Sequence, residues 1–297
     1  PNVTTRALLQ DGHVVAVALL AREGGLPAER RARMYAGERV KGNMLPDVLT
    51  SQLRDEAAGE PVGQRVLRLA VHPAARRRGL GSRLLEEIRT EFEDRVDWLG
   101  VGYGMTPGLV DFWRANGFGT VHLSTTRNQT SGEHSAIMLD PLSDAGRDLF
   151  ERHTDWCLDR LPGMLGDPLS NLDADVVRAA LRSIDGEPAL DLSQWEWRVV
   201  AGLPAGAAIF DTAPGPFRRL ALRHLVAPDE GPAAAISARE ERLLVRKALQ
   251  GRSWGTVADE LDFHSHSTCM RAFGDVVGAL VDAYGTESAR EQRRRLE

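Results

Sequence analysis

The sequence predicts an α/β (α+β) protein, with strands and helices interleaved in its first half and a mainly α-helical second half. Three observations carry that prediction. Val66, Leu67, Leu69, Ala70 and Val71 form a nearly continuous apolar run, as in a strand buried on both faces, and Pro73 stops it for want of an N–H. From Gly79 the period changes, and Leu80, Leu84, Leu85, Ile88 and Phe92 fall on one side of a helix. After Pro141 apolar residues recur mainly at helical spacing.

Residues 4–9 and 13–20 are β-rich runs joined through Gln10-Asp11-Gly12, and Asp-Gly is a strong hairpin signal. Residues 21–63 form a connection long enough to be functional or to carry its own helices. Val48, Leu49, Gln52 and Leu53 suit a short helix after Pro46-Asp47. Residues 96–103 read as the next strand, through Trp98, Leu99 and Val101. Leu109, Val110, Phe112 and Trp113 then make a short helix that stops at Asn116-Gly117. Residues 118–123 and 134–139 are two further strands. Residues 65–139 therefore read β-α-β-α-β-loop-β.

In the second half, residues 144–161 and 175–184 are helical. Residues 185–215 are mixed and read as a linker with short elements. Residues 217–225 form a helix carrying Arg218, Arg219, Arg223 and His224. Ser237 and Glu240 make a capping box that opens a helix to Leu249. Helices over 254–261 and 267–284 follow, so that 237–285 looks like a helix-turn-helix-type bundle with Arg271 exposed. Residues 237–297 hold ten acidic and ten basic residues, which leaves a plain packing module open beside a nucleic-acid binder. Residues 290–295 read as a solvated tail.

Composition excludes several classes. Hydrophobic content of 42% and charged content of 27% are those of a globular protein, and no apolar run has the length of a membrane span. The net charge of −5 argues against binding nucleic acid through overall electrostatics, so any RNA contact must be local. Only Cys157 and Cys269 occur, which suits a reducing cytoplasm. His264, His266 and Cys269 lie close together without zinc spacing, so no metal is expected. Lys41 and Lys247 are the only lysines, and the arginines that replace them elsewhere suit phosphate. The chain begins with Pro1, and a fragment of a longer protein is expected.

Arg76, Arg77, Arg78, Gly79, Leu80, Gly81 and Ser82 join strand to helix. Such a loop turns backbone N–H groups outward at a helix N-terminus, where an anion is favoured. Its glycines allow unusual φ and close approach. It lacks the third glycine of the dinucleotide fingerprint and the Gly-Lys-Ser/Thr of a P-loop.

Arg-x-x-Gly-x-Gly after this strand end resembles the acetyl-CoA loop of the GNAT acyltransferases, whose amides hold the coenzyme A pyrophosphate. The order over 65–139 matches the GNAT acyl-CoA N-acyltransferase fold, a mixed central sheet in which two neighbouring strands splay for coenzyme A. Gly-Asn-Met-Leu-Pro-Asp at 42–47, Ala-Val-His-Pro at 70–73, Phe112-Trp113 with Gly117-Phe118, and Ser-Gly-Glu-His-Ser at 131–135 sharpen the likeness. In that order they resemble the acetyltransferase module of the tRNA(Met) cytidine acetyltransferase family, whose members make N4-acetylcytidine in RNA. The likeness covers 37–142 well and the tail weakly.

The resemblance implies a GNAT domain over 1–142 with a substrate-facing insertion at 21–63. A helical tail over 143–297 is expected to bind RNA. Acetyl-CoA would acetylate the N4 amine of a cytidine, at the tRNA(Met) anticodon wobble position. No Walker A sequence occurs here, so the ATP with Mg that the resemblance implies would serve a helicase-like module that lies upstream or is absent. The partners would be tRNA or other RNA and that module, with no membrane, in the cytoplasm. Amides of Leu69, Ala70 and Val71 would polarise the thioester, and residues 76–82 would take the pyrophosphate. Gly108 stands where relatives often carry an acidic residue, and Arg114 supplies the basic residue that follows Phe-Trp. No Glu lies on the 65–71 strand, so His134 and Glu133, beside the expected substrate loop, are the candidate bases. Tyr103 could protonate the leaving thiolate. His72 is a further candidate base, set against the structural reading of a His-Pro strand end. Substrate positioning without a strong base stays open, as do a GNAT enzyme for a protein or small amine and a non-catalytic acetyl-CoA/RNA-binding scaffold.

Overall fold

The structure, a computed structural model, describes residues 2–129, 132–226 and 236–296. Strands β1 (Val3–Gln10) and β2 (His13–Gly24) form an antiparallel hairpin. Asp11 and Gly12 both have positive φ, 51° and 81°, as a two-residue primed turn requires. β3 (Val62–Val71) runs antiparallel to β2, and β4 (Trp98–Gly104) runs parallel to β3. β6 (His134–Pro141) lies between β4 and β5 (Gly119–Arg127), antiparallel to both. The mixed sheet has the order β1-β2-β3-β4-β6-β5.

Helices cover both faces of its centre. On one face α3 (Leu80–Phe92) and α4 (Pro107–Ala115) bring Leu84, Leu85, Ile88 and Trp113 against Ala18, Leu20, Val66, Val101 and Met138. On the other face lies the 21–63 connection, with α1 (Ala28–Tyr35) and α2 (Met44–Asp47), which runs on into a π turn, Val48–Gln52. Leu45, Leu49 and Ala58 of this connection pack on Trp98, Val121, Ile137 and Leu139. The helix expected after Pro46-Asp47 starts earlier, at Met44. Pro46 is tolerated there because a first-turn N–H has no intrahelical acceptor.

The chain divides into two compact units, residues 1–157 and 158–297. The division falls within α5 (Asp144–Gly166), not after residue 142, because Leu149 and Phe150 are buried in the first unit's core. α5 also outruns the expected residue 161, continuing through Pro162.

The second unit contains α6 (Ala174–Arg182), α7 (Gln194–Gly202), α8 (Pro214–Val226) and α9 (Ala238–Leu243), which continues into a π turn, Leu244–Leu249. α10 (Trp254–Glu260), α11 (His266–Tyr284) and α12 (Glu287–Leu296) complete it. The Ser237–Glu240 capping box is present. Residues 185–215 hold the expected short elements: a Ser193–Glu196 capping box opens α7, which buries Trp197, Val200 and Ala201. Residues 290–295, expected as a solvated tail, are helical: they belong to α12, in which Arg293 pairs with Asp282 while Arg294 and Arg295 stay exposed. Among the described residues no helix is long and apolar enough to cross a membrane.

Candidate active site

β3 and β4 pair only from Gly63↔Trp98 to Val66↔Val101. Immediately beyond, the β2–β3 register slips: Leu20 faces Val66, Leu19 faces Arg68, and Leu67 is the extra residue. Such a bulge bends its strand and increases the local twist. From there β3 keeps β2 as a partner, while β4 keeps β6 through Tyr103↔Ala136 and Gly104↔Ser135. A wedge therefore opens between the C-terminal ends of two parallel strands. The His72 N–H donates to Val15 O at 2.9 Å. Alternation along an antiparallel pair then turns the Ala70 N–H toward β2 and the Leu69 and Val71 N–H groups into the wedge.

The loop from β3 to α3 begins with a 3₁₀ turn, Pro73–Ala75, capped by His72, whose Nδ1 accepts from the Ala74 N–H at 3.3 Å. His72 is thus a structural strand end. Arg77 and Gly79 both have positive φ, 58° and 75°. Gly79 is the N-cap of α3 and offers no side chain, and the first amide to bond back is Arg83 N–H to Gly79 O at 2.9 Å. The Leu80, Gly81 and Ser82 amides have no intrahelical acceptor and point out of the helix start. A Cβ on Gly79 would meet nothing within 4 Å, so that space is open. Arg76, Arg77 and Arg78 are exposed, and among the described residues they form no ion pair. Arg76 Nε reaches back to Val71 O at 3.4 Å, tying the loop to the strand end. The loop thus brings open amides, a helix N-terminus and three exposed cations together at one place.

The opposite face of β4 is shaped by two glycines. A Cβ on Gly102 would lie 2.6 Å from Met44 Cε, and one on Gly104 would lie 2.2 Å from Glu133 Oε2. The insertion and the β5–β6 loop thus converge over the end of β4, one contributing a thioether and the other a carboxylate. The insertion is held there by a buried carboxylate. Glu23 Oε2 accepts from the Leu45 N–H at 2.9 Å and Oε1 from Arg65 at 3.1 Å. Burial raises the Glu23 pKa, opposed by those two donors. Ser131 of the expected substrate motif lies outside the described residues.

His134 is buried at 5% exposure, and its Nδ1 lies 3.0 Å from Ser124 O. Its carbonyl accepts from the Met105 N–H at 2.8 Å, fixing the end of β4. Tyr103 lies on the α3 face of β4, its hydroxyl 3.0 Å from Met138 Sδ and its ring 6.0 Å from Trp113. Burial, and then the negative charge of Asp111, push its pKa well above the usual phenol value, so the hydroxyl keeps its proton. Gly108 is in the first turn of α4, just past the wedge, and is exposed. Arg114 is in the last turn, about 9 Å further along the helix axis, so the two carried-over positions are not brought together. Among the described residues no cluster could hold a metal ion.

The Leu67 bulge, the left-handed Arg77, Met44 over Gly102 and the Asp111–Tyr103 coupling were not read from the sequence. Gly102-x-Gly104 at a strand end was the one available signal, since glycine there marks close approach by another group.

A family model described as GNAT acetyltransferase 2 matches residues 4–94 and 83–143. The sheet order, the wedge and that match make the first unit a GNAT acetyltransferase fold. The tRNA(Met) cytidine acetyltransferase TmcA of Haloferax volcanii is 61% identical over 296 residues, covering 100% of this chain and 39% of that protein. That of Haloarcula marismortui is 60% identical, covering 98% and 37%. That of Nitrosococcus halophilus is 35% identical, covering 100% and 40%. The chain belongs to the TmcA family, as its GNAT acetyltransferase region. It spans about two fifths of the length of the curated relatives it matches.

Proposed function

We propose that this region transfers the acetyl group of acetyl-CoA to the N4 amine of a cytidine in RNA, at the tRNA(Met) anticodon wobble position. The observation that carries this reading is the wedge opening beside the bare N-terminus of α3. It suits a long acyl carrier with its diphosphate at the helix start and its acyl end between diverging strands. The open space at Gly79 and the uncapped amides of residues 80–82 fit such a ligand.

The thioester supplies an activated acyl group, and the chain supplies alignment, polarisation and proton handling. Cytosine's exocyclic amine is conjugated and neutral, so no ammonium has to lose a proton first. The Leu69 and Val71 N–H groups face the wedge and are the donors for the carbonyl oxygen. Glu133, over Gly104, takes the amine proton. His134, tied to Ser124 O, holds the start of β6 and so positions Glu133. Tyr103, kept protonated by burial, supplies a proton to the departing thiolate. Arg76, Arg77 and Arg78 screen the diphosphate. Met44 forms the apolar wall for the base. The second unit contributes RNA contacts. ATP with Mg is used by a helicase-like module elsewhere in the full polypeptide, which works in the cytoplasm.

The test is acetyl transfer from labelled acetyl-CoA to tRNA, by full-length protein and by this chain, followed by nucleoside analysis. Labelled N4-acetylcytidine is expected. Labelled acetyl-lysine or acetylpolyamine instead would make it an amine acetyltransferase of another class. Acetyl-CoA binding without any product from the full-length protein would make it a scaffold.

A further inference from the structure

The second unit holds a cavity of about 420 Å³, bordered by residues 203–206 and 208–211, Trp254 and the first turns of α11. That volume lies within the range of about 300–1,000 Å³ usual for small-ligand sites. Its wall is aromatic. Phe210, Trp254 and Phe273 stand edge to face, with centroids 5.9, 5.3 and 5.5 Å apart for the pairs 210–254, 210–273 and 254–273. Lys247 lies against the same rings, its ammonium 4.4 Å from the Trp254 centroid and 4.8 Å from that of Phe210. Asp211 neutralises it at 3.1 Å and also accepts from Trp254 Nε1 at 3.1 Å.

The rim differs from the wall. Ile209 and Met270 are 62% and 46% exposed, uncommon for such large apolar side chains. Arg271 lines the same cavity and is exposed, and among the described residues its guanidinium has no ion pair. Ser267, Arg271 and Gly274 follow i, i+4, i+7 spacing from the second residue of α11, so the cavity opens at the positive end of a 19-residue helix.

An apolar, aromatic-walled cleft with a cation at its mouth suits a planar ring that carries an anion. An apolar peptide side chain would leave Arg271 unused. A nucleobase with its phosphate uses both parts: aromatic side chains stack on any base, and arginine takes phosphate. The Asp211 carboxylate, already accepting two bonds, retains lone pairs for an exocyclic amine.

We propose that this cavity receives one unstacked nucleobase of the substrate RNA, held between Trp254 and Met270 with its phosphate on Arg271. The proposal deepens the RNA-modifying reading above and rests on it. It assigns the second unit a single-strand contact, separate from the acetyl-transfer site.

The test is fluorescence anisotropy of this chain with a short fluorescein-labelled single-stranded RNA and with the same strand in a duplex. A strand carrying 4-thiouridine is crosslinked in parallel. The single strand should bind more tightly than the duplex. Arg271→Ala should weaken it about tenfold and lower the salt slope by about one. Met270→Asp should weaken it by a similar factor, and the crosslink should map to Trp254 or Met270. Both side chains are exposed, so the folds of the variants are checked by unchanged thermal midpoints and unchanged acetyl-CoA titrations. Equal binding by both variants and wild type, equal affinity for duplex, or crosslinks confined to other residues would overturn the proposal. Acetylcytidine formed by wild type, with no loss in Met270→Asp at subsaturating RNA, would remove the cavity's role and leave the catalytic reading standing. Base binding in the cavity without acetylcytidine would do the reverse.

Discussion

In the first unit the groups that face the wedge are main-chain groups: the Leu69 and Val71 N–H, the amides of residues 80–82, and a loop bent by left-handed Arg77 and Gly79. In the second unit the recurring structural device is a side-chain network. Glu241 is buried at 4% exposure and accepts from Arg178 and Arg182, with His224 Nε2 at 3.4 Å. Lys247 is held among rings by Asp211. A site made of backbone survives truncation of most side chains near it and fails when its geometry is disturbed. A network of buried ions fails when one carboxylate is lost. The contrast fixes which experiment can break which unit.

The largest effect is expected from Glu241→Ala. It leaves two arginines and a histidine facing a buried gap and should cost about 3–5 kcal/mol, read as a shift in the urea midpoint of the second unit. The same carboxylate sets an acid limit. Burial alone would raise its pKa, but the adjacent His224, the hydrogen bond from Arg178 and the charge of Arg182 hold it at about 2. A folded pKa below the unfolded value means stability that is present above about pH 4 and lost as pH falls toward 2. Glu241→Gln should flatten that part of the stability profile. A profile unchanged over that interval would show that the network does not govern acid unfolding.

Tyr103→Phe should come next, lowering kcat about a hundredfold while acetyl-CoA affinity stays within about twofold. Full activity in that variant would exclude the phenol as proton donor. Gly79→Val places a β-branched residue at φ 75° and should cost about 1–2 kcal/mol of loop geometry, or about tenfold in acetyl-CoA affinity by calorimetry. Arg78→Ala, removing an exposed cation beside the same amides, should cost only a few-fold. The reverse order would mean that side chains, not backbone, hold the carrier. Ser193→Ala should be smallest, about 1 kcal/mol from the lost α7 cap, with acetyl-CoA binding untouched.

What could be read from the sequence was local. The 65–92 stretch announces itself because an apolar run, a proline and a change of period are all short-range signals, and Asp11-Gly12 names its own turn. The capping box at Ser193 was equally local, but two tryptophans among glycines and alanines masked the period of α7. The Leu67 bulge is a matter of register between strands far apart in sequence, and no residue type marks it. Glu23 and Leu45 are likewise joined only by the fold, through a carboxylate that must be satisfied once buried. The unit boundary slipped past residue 142 because a helix start shows in the sequence, whereas the core that receives its first turns does not. Whether Glu133 and His134 act on substrate was not legible either, since their roles depend on where Gly104 and Ser124 stand.

The extra residue at Leu67 makes the opening a question of counting. Were β3 one residue shorter at that point, its ladder with β2 would run unbroken, and the seam toward β4 would be free to zip to its end. The side chains that follow would keep their partners on β2, Arg68 with Leu19 and Leu69 with Ala18, so Leu69 and Val71 would stay in the hydrophobic layer under α3 and only the opening would be lost. Point substitutions can only retune this entrance, whereas a single-codon deletion would abolish it. Insertion and deletion scanning along β3 is therefore the mutational language in which this opening is written.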